Sequence, residues 1–386
     1  MKNGNHFQSP VINGHQAKDL SYLAKKPVRI GITLPPMMLS MREMDFDQMV
    51  WSNGLVQNAY FLARTLEKIP GVKVYAVNNF PLARYLDIEY TEKGPGYLTA
   101  IIEVCTKLGP IEARAFRTHK GMLIHHVAGN TMALNLEHLA GGSSPGDLAH
   151  NDYDAVWCLP HTYEMSGDYF KLMHNCPVDK VPHIWDPHFL PKDWGYVQGT
   201  LQNGRRTAAT FEPSMSVVKT PHMSILVAEN EYRRDDRLLD GLYVFGHEGK
   251  TRSSSAFLSF MDQLAIREVT MFMPRVPIAK AMKTMGEVGV VVATNWMNEL
   301  NYNWYELVHG GYPLVHNSEM LGAGYKYPGF DALAGGQLLH QVLESHDDIL
   351  PDYKEAAQRF LQQFRPDTVR PLYQKLLKTR LGELMP

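Results

Sequence analysis

The sequence predicts an α/β protein made of two doubly wound domains, and three observations carry that expectation. Apolar, β-branched runs repeatedly end in polar turns that lead into helices, the grammar of a parallel sheet covered on both faces. The pattern runs twice, on either side of a proline- and aromatic-rich segment, Val181–Trp194 (VPHIWDPHFLPKDW). At 386 residues the chain is too long for a single core. Ligands of such sheets sit outside the carboxyl ends of the strands, so the polar turns there are the place to look for function.

In the first half, Val28–Leu34 reads as a strand ended by Pro35-Pro36. A helix follows from Gly54 to about Lys68, capped by Ser52 or Asn53, with Leu55, Ala59, Leu62, Ala63 and Leu66 on one face. Pro70-Gly71 breaks it, and Val72–Val77 is the next strand, which makes a parallel crossover unit. Tyr97–Leu108 reads as a helix, Met122–Val127 as a strand, Asn135–Leu139 as helical, Gly141–Gly146 as a loop and Ala155–Leu159 as a buried strand closed by Pro160-His161. A helix covers Tyr169–Met173. In Val181–Trp194 the prolines stiffen the chain while the aromatics seek burial, which suits a rigid crossing between domains.

The second half restarts with a strand at Thr207–Phe211, a turn at Glu212–Thr220 and a helix from Pro221, with proline in the first turn. Strands follow at Leu242–Phe245 and Val269–Met273, with helices at Ala256–Leu264 and Ala279–Met285. The densest stretch is Ala293–Asp331. The strand Val288–Ala293 opens into the polar turn Thr294–Asn303, then a short helix stopped at Gly310-Gly311, then a strand at Pro313–His316 and a Gly-rich loop. Ala332–Glu344, Tyr353–Phe364 and Thr368–Leu381 read as helices. The expected divisions are an arm at 1–26, domains at 27–188 and 189–365, and a last helix at 366–386 that crosses back.

Composition narrows the function. A net charge of -2 and a pI near 6.8 argue against a constitutive nucleic-acid binder but leave room for a local basic groove. Cys105, Cys158 and Cys176 have no CxxC spacing, so neither a disulfide framework nor a structural zinc site is expected. No apolar run approaches the roughly 20 residues of a membrane span. Met1–Lys26 is polar and lacks the apolar segment of a signal peptide. A cytoplasmic protein is expected. The methionine cluster at Met37, Met38, Met41, Met44 and Met49 is read as packing. Asp152-Tyr153-Asp154 precedes a strand instead of ending one, so no essential metal is expected from it.

Several stretches carry a family resemblance: Ser52-Asn53-Gly54 with Gln57-Asn58, Pro160-His161, Val181–Leu190, Phe211-Glu212-Pro213 with Val218-Lys219-Thr220, Leu300-Asn301-Tyr302, and Gly311–Ser318 with Gly324–Asp331. In their order and spacing they resemble the GT-B glycosyltransferase superfamily, and more narrowly an uncharacterised glycosyltransferase-like family of bacteria and phages. The resemblance covers roughly residues 28–345. It implies two Rossmann-like domains facing a central cleft, with the last helix packing back on the first. It also implies transfer of a hexosyl or pentosyl group from a nucleoside-diphosphate sugar, a UDP-sugar being the expected co-substrate, without a bound cofactor. The acceptor expected is a hydroxyl of a glycan or glycolipid. The alternatives are a hydroxylated base in DNA, as in phage DNA glycosyltransferases, and a catalytically silent module that binds sugar nucleotide. Many retaining members place two glutamates with seven residues between them. Here Glu299 and Glu306 have six between them, and Asn298 holds the seven-residue position.

The residues then take expected roles. Lys219, beside the helix start at Pro221, suits a diphosphate seat. Glu306 suits the nucleotide ribose, Asn301 and Tyr302 the base or sugar, and His316, Asn317 and Ser318 further donor contacts. A lone histidine such as His316 is more commonly a satisfied core residue. Ser52, Asn53, Gly54 and Gln57 open the first helix toward the cleft and are expected to touch phosphate or acceptor. His161 is the expected general base, since histidine titrates near neutrality, with His125, His126, Asp45 and Asp47 as other choices. A DNA-binding variant would line a groove with Arg114, Arg117, Lys120, Arg205, Arg206, Arg233, Arg234 and Arg237.

Overall fold

The computed structural model describes residues 27–37, 46, 50, 53–94, 96–141, 152–201, 206–213, 216–247, 255–285 and 288–382. The N-terminal arm, Asp45, Asp47, Ser52, most of the Gly141–Gly146 loop, Arg205 and methionines 38, 41, 44 and 49 lie outside them.

Two six-stranded parallel sheets form the molecule. The first holds β1 (Val28–Ile32), β2 (Val72–Ala76), β3 (Ala100–Glu103), β4 (Met122–Val127), β5 (Ala155–Cys158) and β6 (Val178–Lys180), in the order β2-β1-β3-β4-β5-β6. The second holds β7 (Thr207–Thr210), β8 (Gly241–Phe245), β9 (Thr270–Met273), β10 (Val288–Ala293), β11 (Leu314–His316) and β12 (Tyr325–Lys326), in the order β12-β11-β10-β7-β8-β9. Strand order reverses between β1 and β3 in one sheet and between β7 and β10 in the other. Such reversals open a crevice at the carboxyl ends of the flanking strands. The expected architecture of two Rossmann-like sheets is therefore present.

Two expectations need correction. Tyr97–Leu108 is not a helix: its centre is β3, fully buried and paired to β1 on one side and β4 on the other. A four-residue strand buried on both faces, with three apolar residues before Glu103, shows no period of two, and the flanking leucine and cysteine mimicked a helical stripe. Ala332–Glu344 and Tyr353–Phe364 are not separate helices either. One 30-residue helix, Ala332–Leu361, runs through Pro351. Proline frees the carbonyl four residues back, and here Gln198 Nε2 donates to the Asp347 carbonyl at 3.0 Å, which satisfies it.

The last helix, Pro366–Leu381, leaves the second half and packs on the first. It buries Val369, Tyr373, Leu377 and Leu381. The Tyr373 hydroxyl donates to the Pro182 carbonyl at 2.7 Å, and its ring meets Trp157 of β5 at 5.8 Å. Arg380 Nε pairs with Asp179 at 2.7 Å. The crossing segment is held beside it. Trp185 N–H donates to the Phe364 carbonyl at 2.9 Å, and Arg365 pairs with Asp186 at 2.8 Å.

This docking makes a differential prediction. Tyr373→Phe removes the hydrogen bond to the partly buried Pro182 carbonyl and is expected to lower stability by about 1 kcal/mol in urea denaturation. Leu372→Ala, on the exposed side of the same helix, is expected to change it by less than about 0.5 kcal/mol. The reverse ranking would mean that the helix docks through its other face.

Candidate active site

The site lies where the two crevices face each other, and its best-defined member is Glu306. The helix Tyr302–Gly310 carries it, starting at the Asn301 cap and ending at Gly311. Gly311 sits at φ 78°, the left-handed conformation that closes a helix and favours glycine. Glu306 is 2% exposed. Its Oε1 accepts from Gln57 Nε2 of the first sheet's domain at 3.4 Å, and its Oε2 is enclosed without a hydrogen-bond partner among the described residues. Burial raises the carboxyl to about 8, and the Gln57 hydrogen bond opposes the rise. Burial thus favours the protonated form at neutral pH.

Lys219 sits just before the helix His222–Arg234, near the end of β7. Burial lowers its pKa, Arg275 adds to the effect, and Glu212 opposes it. Glu212 follows β7 directly and is raised to about 7 by burial, against the pull of Lys219 and of a Trp304 side-chain hydrogen bond. A lysine and a carboxyl therefore face each other at the β7–β10 reversal, with a guanidinium beside them. The sequence reading assigned no role to Glu212 or Arg275. Glu212 stands directly after a buried strand, and that position is the signal that could have singled it out.

Across the cleft, His161 occupies the second position of the helix Pro160–His174, directly after β5. It is 2% exposed. Burial first, and then the Lys219 ammonium, push the imidazole down to about 4, while the Asn298 amide pulls the other way. Asn298, which holds the seven-residue position before Glu306, thus stands against the expected base. Behind His161, His183 is held well below its ordinary value by burial and by the nearby imidazoles of His161 and His126.

The other expected residues take more local parts. Asn301 Oδ1 accepts from Asn303 N–H at 3.1 Å and caps its helix. The Tyr302 hydroxyl donates to the Ile184 carbonyl at 3.0 Å, and its ring packs near Phe61 and His183 in the interdomain core. His316 receives the Ser318 N–H on Nδ1 and pairs through Nε2 with the Ala323 carbonyl, a satisfied core histidine. Asn317 ties its loop to Asn295 and to the Gly329 carbonyl. Ser318 Oγ donates to the Glu299 carbonyl and accepts from Met320 and Leu321 N–H groups. Glu299 accepts from Glu319 N–H and Asn295 Nδ2, which gives it a loop-tying role. These side chains shape the donor-side loops by bonding to one another.

On the first domain, Asn53 Oδ1 caps its helix by accepting from Leu55 N–H at 3.0 Å. A Cβ at Gly54 would meet the Tyr302 ring at 3.4 Å, so glycine permits the close approach of the two domains there. Gln57, expected at the phosphate or acceptor, donates through Nε2 to Glu306 Oε1 at 3.4 Å. His125 lies on the other sheet face, stacked on Tyr153. Asp152 and Asp154 both pair with Arg117. No group of three or more metal-ligating side chains occurs among the described residues, nor any helix long and apolar enough to cross a membrane.

Residues 37–376 match the family described as "Protein of unknown function (DUF2827)". The chain belongs to the DUF2827 family. No curated protein sequence matches it. Among solved structures, it is similar to Anabaena Alr3699/HepE in complex with UDP and glucose, at 11% identity and a TM-score of 0.60, over 91% of this chain and 100% of that one. It is also similar to an α-glucosyltransferase in complex with UDP and a 13-mer DNA containing a HMU base, at 11% identity and TM-score 0.56, over 91% and 99% of the two chains. Sucrose-phosphate synthase from Thermosynechococcus elongatus gives 9% identity and TM-score 0.56, over 92% and 99%. At such identities the likeness establishes the GT-B fold of this DUF2827 chain.

The raised Glu306 carboxyl has a consequence for stability. Between the ordinary value of 4.5 and about 8, the folded state holds a proton that the unfolded chain releases. Stability contributed by this group therefore falls as pH rises through that window. Glu306→Gln removes the titration while keeping the shape. Its Tm gain over the native protein is expected to grow from about pH 5 to about pH 8 and to vanish near pH 4. A pH-independent difference would contradict this placement of the carboxyl.

Proposed function

We propose that the protein transfers a sugar from a nucleoside-diphosphate sugar, a UDP-sugar, to a hydroxyl of a glycan. The observation that supports this most is the placement of Glu306, an enclosed carboxyl of the second domain with one oxygen unpartnered among the described residues and the other facing Gln57 of the first domain. The structural neighbours solved with UDP and glucose, or with UDP and DNA, support the same reading.

In this reading Lys219 and Arg275 receive the diphosphate, and the backbone at the His222 helix start adds its dipole. Glu306 grips the pentose hydroxyls. Arrival of the diphosphate neutralises the Lys219 ammonium and removes the charge that opposes protonation of His161. Donor binding thereby raises the basicity of His161 at the moment an acceptor hydroxyl must lose its proton. His161 is neutral throughout the physiological range, so it need shed no proton first.

A glycan acceptor fits better than DNA. Three of the arginines a DNA groove would use are paired within their own domains: Arg117 with Asp152 and Asp154, Arg233 with Glu229, and Arg237 with Asp235. Cations already paired release few counterions from a phosphate backbone.

Three substitutions test the assignment. Glu306→Ala and Lys219→Ala are each expected to weaken UDP binding by more than about tenfold, roughly 1.4 kcal/mol, in calorimetric titration. His161→Ala is expected to abolish sugar transfer with UDP affinity kept within about threefold. Unchanged UDP affinity in the first pair would remove those side chains from the donor seat, and full turnover in the third would place the base elsewhere.

A further inference from the structure

The contact between Gln57 and Glu306 joins residues 249 positions apart and spans the two domains. Gln57 is 1% exposed and lies on the helix Gly54–Glu67. Its Nε2 donates both to Glu306 Oε1 at 3.4 Å and to the Val50 carbonyl at 3.3 Å. Glu306 Oε2 is enclosed, and no described residue reaches it with a hydrogen bond. A pentose hydroxyl binds a carboxylate by donating a hydrogen bond to one of its oxygens. The Gln57 amide makes that same kind of bond, to that same carboxyl, from the opposite wall of the cleft.

We infer that Gln57 is an internal stand-in for the donor's pentose, closing the cleft on Glu306 until a nucleotide displaces it. The inference rests on the donor reading of Glu306. Its logic is competition. Both oxygens of Glu306 are enclosed, so a nucleotide sugar cannot reach them while Gln57 stays in place. Opening breaks a hydrogen bond that is long, and therefore weak, but breaks it at no gain until the pentose arrives. Ligand affinity is reduced by whatever free energy holds the unliganded cleft shut.

The contact also explains the pairing of groups. A glutamine donor facing a protonated carboxyl is electrically neutral, so the empty cleft can close without enclosing an uncompensated charge. Tyr302 is the titratable neighbour whose hydroxyl interacts with Glu306, with Tyr305 one position away from it on the same helix. Both have their pKa held well above the ordinary tyrosine value by burial, so they stay neutral across physiological pH. The Trp194 indole donates to the Glu306 main-chain carbonyl at 2.7 Å and holds the helix, not the carboxyl.

The test is stopped-flow and calorimetric binding of UDP to the full chain and to Gln57→Met, which keeps volume and removes the donor. Tighter binding by about threefold to tenfold is expected, carried by faster association. The same substitution made on Glu306→Ala is expected to change nothing, because the competitor then has no carboxyl to hold. Gln57→Ala serves as a second variant, with Tm confirming that both fold. Weaker or unchanged UDP binding in both variants overturns the inference while leaving the donor reading intact. If the native chain binds no UDP or UDP-glucose at all, the donor reading and this inference fall together.

Discussion

The constraint on which the site depends is the enclosure of a carboxyl between two domains. Glu306 is anchored in the second domain, where its helix is fixed by the Asn301 cap, the Gly311 stop and the Trp194 indole on its own carbonyl. The first domain covers it with Gln57. Removal of the group from water raises its pKa, and the raised pKa in turn lets the empty cleft close without a buried charge. Lys219, Glu212 and His161 repeat the theme among themselves. Each is pushed toward its neutral form by burial, and each lies near a group whose charge a ligand would change.

Domain registry makes this enclosure possible. The crossing carries Trp185 into the core, and the last helix returns to bind Pro182 and Asp179 of the first domain. The contacts at the cleft itself are fewer and more polar. Asn130 Nδ2 donates to the Met297 carbonyl at 3.1 Å, and Val217 N–H donates to Glu137 at 2.8 Å. Met297 holds a left-handed backbone at φ 56°, uncommon outside glycine and often met near binding sites. An apolar hinge region joined to a polar cleft lets the domains part at the mouth while the crossing stays packed.

Much of the fold was legible in the sequence because the second sheet announces itself. Val288–Ala293 is apolar throughout, and Gly311-Tyr312-Pro313 punctuates the step to the next strand, so both flanks of the β7–β10 reversal could be placed. β3 was missed because a short strand buried on both faces carries no alternation. The long helix was cut in two at Pro351 because nothing in the sequence shows that Gln198 will satisfy the freed carbonyl. The site was less legible for a related reason. Asn301, Asn317 and Ser318 are polar residues at strand ends whether they bind a ligand or bind one another, and composition does not distinguish the two. Gln57 meets Glu306 only through the tertiary fold, across a separation that no local pattern can bridge.

The central claim is that the crevice at the β7–β10 reversal, with Glu306 and Lys219, seats a sugar nucleotide. Hydrogen exchange with and without UDP tests it most directly. The account predicts slowed exchange in the segments around Lys219–Ser224 and Tyr302–Gly310, with the outer faces of both sheets unchanged. Protection absent from both segments at saturating UDP, or concentrated on the first domain alone, would contradict it.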